Sequence, residues 1–256
     1  MSEAAPPGAA RSFSGDSTRM LTLDSVSINF AGVQAVKKVS FTLAPNSITT
    51  VIGPNGAGKT TLFNLISGFY PPTEGRILLD GKDITRLPTH QRVRRLMGRS
   101  FQITNLFPEL TVSEHLVVAA SRESIWRLTS SAKTRVEEVL RDVGLWQQRD
   151  VLCRDLTVPD QKKLDFAVML TQRPKLLLLD EPFASLAPEQ IEELSRIVTE
   201  MSKDRTVLLV EHRMDVVMKL AHRIIVMARG AVIADGTPAE VRQNELVQKV
   251  YLKEVL

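Results

Sequence analysis

Gly53-Pro54-Asn55-Gly56-Ala57-Gly58-Lys59-Thr60-Thr61 is the stretch from which the rest of the chain is read. Glycine at 53 and 58, lysine at 59 and a hydroxyl at 60 complete the pattern of a phosphate-binding loop. The apolar run at 48–52 before it predicts a strand, and residues 59–67 behind it have helical periodicity. Phosphate chemistry requires that context. Glycines let the chain curl until successive backbone N–H groups point at phosphate oxygens, and the helix N-terminus adds partial positive charge. Lys59 is then expected to reach the β- and γ-phosphates of a nucleotide, and the Thr60 hydroxyl to hold Mg²⁺.

A second run says what happens to the nucleotide. Leu176-Leu177-Leu178-Leu179-Asp180-Glu181 predicts a buried strand whose tip delivers Asp180 beside the metal. Glu181 follows at once, placed to polarise an attacking water as general base. Other strands are expected at 21–30, 39–43, 76–79, 206–210 and 223–227. Near-continuous apolar character in the later ones suits buried parallel strands, with a crossover helix at 191–201. Thr111 and Glu114 form a capping-box pattern before a helix that includes 116–120. Further helices are expected at 131–143, 158–171 and within 238–256. The outline is an α/β core with a mostly helical insert at about residues 90–172, preceded by an Ala/Pro/Gly/Ser-rich flexible tail at 1–19.

Composition narrows the function classes. The 256 residues are 43% hydrophobic and 24% charged, which excludes wholesale disorder and collagen-like character. Lys plus Arg at 33 against Asp plus Glu at 29 leaves +4, suited to an anionic ligand or a membrane-adjacent surface. No basic tract is dense enough to argue for nucleic acid. A single cysteine, Cys153, excludes an internal disulfide and fits a reducing compartment. No apolar stretch approaches the roughly 18–20 residues of a membrane span, and no secretory signal is visible. Any membrane role is expected from the cytoplasmic side, by docking onto another protein.

Together these motifs resemble the ATP-binding subunit of an ABC transporter, over residues 21–256. The resemblance implies a P-loop NTPase core of ABC type, with an inserted helical subdomain and an N-terminal antiparallel β portion, spanning 20–256. It assigns Phe30 to stacking against adenine, Gln102 to Mg²⁺ or the attacking water, and His212 to the γ-phosphate. Pro174 and Pro182 match beside the Asp180-Glu181 strand. Within that superfamily the chain looks most like the subunits of branched-chain amino-acid importers. Phe101-Gln102 with Asn105-Leu106-Phe107 is one marker; Gly236-Thr237-Pro238, Glu240-Val241, Asn244, Val247 and Tyr251-Leu252 are another. The resemblance implies ATP and Mg²⁺, transmembrane permease subunits and a solute-binding protein on the far side of the membrane.

Two stretches depart from the family pattern. The signature loop, normally similar to Leu-Ser-Gly-Gly-Gln, reads Leu156-Thr157-Val158-Pro159-Asp160. Proline has no N–H to give where the family keeps a glycine, and Asp160 adds negative charge near a polyphosphate. Losing one well-aimed donor costs about 2.7–4 kcal/mol of transition-state stabilisation. Ala187 likewise replaces an Asp or Asn expected to face the partner subunit. In the family both stretches serve the ATP held by the opposite chain. Lys59, Thr60, Gln102, Asp180, Glu181 and His212, which serve this chain's own ATP, are all present. The segregation predicts a heterodimer with a second, related ATPase subunit. Two alternatives keep the same phosphate chemistry: a nucleotide-binding regulatory subunit without significant hydrolysis, and a non-transport ABC ATPase.

Overall fold

A computed structural model describes residues 19–94, 97–100, 106–121 and 129–252. The expected tail therefore lies almost wholly outside the described residues, as do Phe101, Gln102 and Asn105. Strands β1 (Leu21–Phe30), β2 (Val33–Leu43), β4 (Glu74–Leu79) and β5 (Lys82–Asp83) form an antiparallel sheet in the order β2-β1-β4-β5. The second sheet contains β3 (Ile48–Ile52), β6 (Met97–Arg99), β7 (Leu176–Asp180), β8 (Thr206–Val210), β9 (Arg223–Ala228) and β10 (Ala231–Gly236). Its order is β10-β9-β3-β8-β7-β6, parallel from β9 to β6, with β10 antiparallel at the edge. This is the α/β architecture with an N-terminal antiparallel portion that the sequence implied.

The apolar runs are continuous because both faces of the central sheet are covered. Leu176, Leu178, Leu208 and Val210 pack with Leu62, Phe63 and Ile66 of helix α1 (Lys59–Ser67) and with the antiparallel sheet. Leu177, Leu179, Val207 and Leu209 face the other way, onto a core shared with α5 (Val158–Thr171) and α6 (Pro188–Ser202). Each such side chain contributes about 1.5–3 kcal/mol on leaving water. Three further helices, α2 (Thr89–Arg94), α3 (Val112–Ala120) and α4 (Ser130–Asp142), precede α5, and α3, α4 and α5 pack together. Thr111 caps α3 in the expected box with Glu114. Of the span 90–172 assigned to the insert, Met97–Arg99 is a strand of the parallel sheet, so the packed helical part begins after it. After β8 come α7 (Met214–Leu220), α8 (Pro238–Gln243) and α9 (Glu245–Leu252). The C-terminal helical stretch is divided at Asn244, whose side chain accepts from the amides of Leu246 and Val247.

Arg92 of α2, a charged residue, is interior. Its guanidinium donates to the carbonyls of Leu65 and Ile66 at 2.7 Å, of Leu87 at 2.7 Å and of Thr85 at 2.9 Å. Two of those carbonyls close the last turn of α1, where the helix dipole is negative and intrahelical partners run out. Burial lowers this arginine to about 10, which leaves it charged at neutral pH.

Burial pushes the Asp165 carboxyl of α5 up to about 7, against the opposing pull of Lys162. An unfolded aspartate titrates near about 4, so the folded chain holds this proton more tightly and loses stability as pH rises between those values. Asp165→Asn cannot ionise. It is expected to melt above the wild type at pH 8, with the advantage gone near pH 4; a pH-independent offset in thermal unfolding would contradict this.

Candidate nucleotide-binding site

Three adjacent strands end on one rim. β3 runs into the phosphate loop, its neighbour β8 ends before Glu211 and His212, and β7 ends at Asp180. The carboxyl ends of parallel strands are where open α/β sheets bind ligands. A cleft of about 460 Å³ lies there, walled by the loop on one side and by Val33 to Lys37 and Arg229 on the other.

The loop is held by contact with backbone on both sides. A Cβ at Gly53 would stand 2.2 Å from the Met227 carbonyl oxygen of β9, and one at Gly58 would stand 2.5 Å from the Ala35 carbonyl oxygen of β2. Gly58 also takes a φ of 99°, at the N-cap of α1. Lys59 is buried, and its ammonium donates to the carbonyls of Gly53 at 2.6 Å and Pro54 at 2.9 Å. Those bonds keep its charge at the centre of the loop. Thr60 and Thr61 follow on the cleft wall.

Asp180 is buried, and its amide donates to the Ser100 hydroxyl at 3.3 Å. Arg99 lies 3.6 Å from its carboxylate and also donates to Asn64 Oδ1 at 2.8 Å and Ser67 Oγ at 2.6 Å. This arginine joins the tip of β7 to helix α1. Burial pushes the Asp180 carboxyl upward, Arg99 opposes it, Glu181 adds to it and Lys59 opposes it. Glu181 turns sharply away at φ 48°, its amide donating to the Val210 carbonyl at 3.0 Å. Its carboxylate stands 3.8 Å from His212 Nδ1. Glu211 is fully buried, and one of its oxygens accepts from the backbone amides of His212 and Arg213 at 2.9 and 3.1 Å. Neither Arg99 nor Glu211 was singled out from the sequence. Their roles depend on partners brought by other strands.

Phe30, the expected adenine platform, is 40% exposed at the end of β1 and meets Tyr70 edge-on at 5.1 Å. The residues that line the cleft on that side begin at Val33. Gln102 falls outside the described residues.

The stretch 156–160 begins α5. Leu156 is buried and Val158 is 53% exposed. Thr157 caps the helix: its hydroxyl accepts from the Asp160 amide at 3.4 Å and donates to Asp160 Oδ2 at 2.7 Å. The Gln161 amide is taken by the Thr157 carbonyl at 2.9 Å. Pro159 has no N–H, so Val158 carries the remaining amide of the first turn. Burial alone would raise the Asp160 carboxyl, but bonds from Thr157, Lys163 and Gln148 outweigh it and hold it below the usual carboxylate range. An ionised carboxylate thus already occupies this helix N-terminus. Ala187, at the start of α6, donates its amide to Gln190 Oε1 and offers no side-chain polar group.

Residues 36–184 match the family model for the ABC transporter, and residues 231–252 match that for the branched-chain amino acid ATP-binding cassette transporter. The chain belongs to the ABC transporter family. It is an ATP-binding cassette ATPase subunit. It is 37% identical to the high-affinity branched-chain amino acid transport ATP-binding protein LivG of Escherichia coli, over 92% of this chain and 98% of that one. It is 36% identical to BraF of Pseudomonas aeruginosa, of the same description, at the same coverage. A crystal structure of the ADP conformation of MJ1267, an ATP-binding cassette of an ABC transporter, superposes with a TM-score of 0.84 at 28% identity, covering 91% of this chain and 98% of that one.

Because the Gly53 position touches β9 backbone, Gly53→Ala must move either strand. Overpacking of this kind costs about 1–3 kcal/mol. The variant is expected to unfold at lower urea and to lose nucleotide binding; a variant as stable as wild type would show that the close approach is not a constraint.

Proposed function

We propose that this subunit hydrolyses ATP to energise an ABC importer for branched-chain or other hydrophobic amino acids, as one half of an asymmetric ATPase pair. The family match and its relatives' transport role support the solute class. The asymmetry is carried by one observation: groups that act on the chain's own nucleotide converge on one rim, while the α5 terminus that would serve the partner's nucleotide is occupied by Asp160.

Mg²⁺ fits the residues present. Among the described residues no group of three His, Cys, Asp or Glu could hold a metal unaided. Magnesium in such sites takes one or two carboxylates together with substrate phosphates, which Asp180, the Thr60 hydroxyl and Gln102 would complete. Bound there, it would neutralise charge on the phosphate oxygens. Lys59 meets the β- and γ-phosphates, the loop amides cradle the chain of phosphates, and Phe30 lies toward the adenine. Glu181 orients water in line with the γ-phosphate and takes its proton, and His212 meets the charge that develops. A spent signature would equally suit a subunit that binds ATP without cleaving it; the approach of His212 to Glu181 favours hydrolysis.

None of the described helices is long and apolar enough to cross a membrane. In the proposed assembly the subunit works from the cytoplasmic face, docked to transmembrane permease subunits that take solute from a binding protein on the far side, a reading supported by its transport-ATPase relatives.

Three outcomes test this. The chain alone is expected to bind Mg-ATP but to turn it over about 100-fold more slowly than the assembled pair, the scale of one lost donor. Normal turnover alone, abolished by Lys59→Ala, would overturn the asymmetry. Glu181→Gln should retain ATP binding and arrest turnover in the pair. Arg99→Met, which removes the group that orients the Asp180 carboxylate, should raise the Mg²⁺ concentration needed for nucleotide binding by about tenfold; an unchanged requirement would show that Arg99 does not position Asp180 for the metal.

A further inference from the structure

The tip of the β9–β10 hairpin is Arg229-Gly230, a two-residue connection flanked by the pair Ala228 and Ala231. Both residues have positive φ, 49° and 82°. That is the geometry of a type I′ turn, for which Asn-Gly is the favoured sequence because asparagine tolerates the left-handed region. Glycine at 230 is required by space as well, since a Cβ there would stand 2.8 Å from the Ala35 carbonyl oxygen. Arginine at 229 answers no such local need. It is held in a strained conformation, and residues that break a local rule without local compensation concentrate at functional sites.

The hairpin tip is also fixed in place. Gly230 donates its amide to the Ala57 carbonyl of the phosphate loop at 3.0 Å and accepts from the Lys37 amide at 2.7 Å. Arg229 and Lys37 consequently line the same cleft as Lys59, on the wall facing the loop. Among the described residues Glu181 is the one acidic residue lining that cleft. Among the described residues no carboxylate lies within ion-pair distance of Arg229 or Lys37. Three cationic side chains and one carboxylate thus line a cleft at a helix N-terminus, a balance of charge that favours an anion.

We propose that Arg229, supported by Lys37, is a nucleotide-contacting residue that binds the α-phosphate, a step that rests on the nucleotide-binding reading above. The position along the nucleotide follows from the anchoring. The hairpin lies over Ala57, among the loop amides that cradle the α- and β-phosphates, whereas Glu181 and His212 mark the γ end. Lys59 reaches toward β and γ and leaves the α-phosphate without a side-chain cation. Arg229 supplies it.

Titration calorimetry of the full chain with Mg-ATP and with Mg-ADP, beside thermal unfolding without nucleotide, tests this. Arg229→Asn installs the preferred turn residue while removing the charge. It is expected to weaken ATP and ADP alike by about five- to tenfold, the range of a charge-assisted bond at a partly exposed site. The difference should shrink as salt is raised, and Arg229→Lys should recover part of the affinity. The nucleotide-free melting temperature of Arg229→Asn should equal or exceed that of wild type. Unchanged affinity, or a loss confined to ATP, would overturn the assignment while leaving nucleotide binding itself intact. A lower melting temperature would show that the arginine serves the hairpin instead. Absence of nucleotide binding by the wild-type chain, with Lys59→Ala indistinguishable from it, would overturn the broader reading as well.

Discussion

The phosphate loop is squeezed between two backbones that belong to different sheets: the Met227 carbonyl of the central sheet approaches Gly53, and the Ala35 carbonyl of the antiparallel sheet approaches Gly58. At both points a methyl group would collide with a carbonyl oxygen. The loop's curl is therefore set by tertiary contact as much as by glycine's conformational freedom. With its outer surface pressed against β2 and β9, the loop has only the cleft left to face. The same contact joins the two sheets beside the cleft, so the cleft lies at the seam between them.

Around that seam, helix α1 is tied at both ends and along its side. Its start is the phosphate loop, its last carbonyls are met by the buried Arg92, and Arg99 bridges Asn64 and Ser67 to the carboxylate of Asp180. Two interior arginines thus hold the helix against the strand tip opposite. Cations at these places are favourable because helix carbonyls and a carboxylate converge there in low dielectric. Groups that must act on one substrate are kept in register by a shell that does not itself touch it.

At the N-terminus of α5 the same physics works in the opposite sense. A helix N-terminus binds an anion only while its amides and hydroxyl remain free to turn outward. In α5 the Thr157 hydroxyl and the Asp160 carboxylate satisfy one another, Lys163 and Gln148 complete the shell, and Pro159 removes a donor. The result is a cap that stabilises its own helix. Thr157 is the pivot of that cap, bonded both to the Asp160 amide and to its carboxylate.

Sequence alone determined the elements whose signal is local and strong. The strands Ile48–Ile52 and Thr206–Val210 and the helices Lys59–Ser67 and Val158–Thr171 stand at the residues expected, because continuous apolar runs, glycine punctuation and a Thr cap define them without outside help. The glycine-rich turn between β3 and α1 and the position of Asp180 at the end of β7 were legible for the same reason. Tertiary structure decided what depended on distant partners. Met97–Arg99 is too short, and too weakly apolar at Gly98 and Arg99, to read as a strand until Leu176 to Leu178 pair with it. Arg92, Arg99 and Arg229 look alike as letters; one is interior, one bridges a carboxylate and one lines the cleft. A charged side chain carries no periodic signature of the group it will meet, and that group lies tens of residues away until the sheets close.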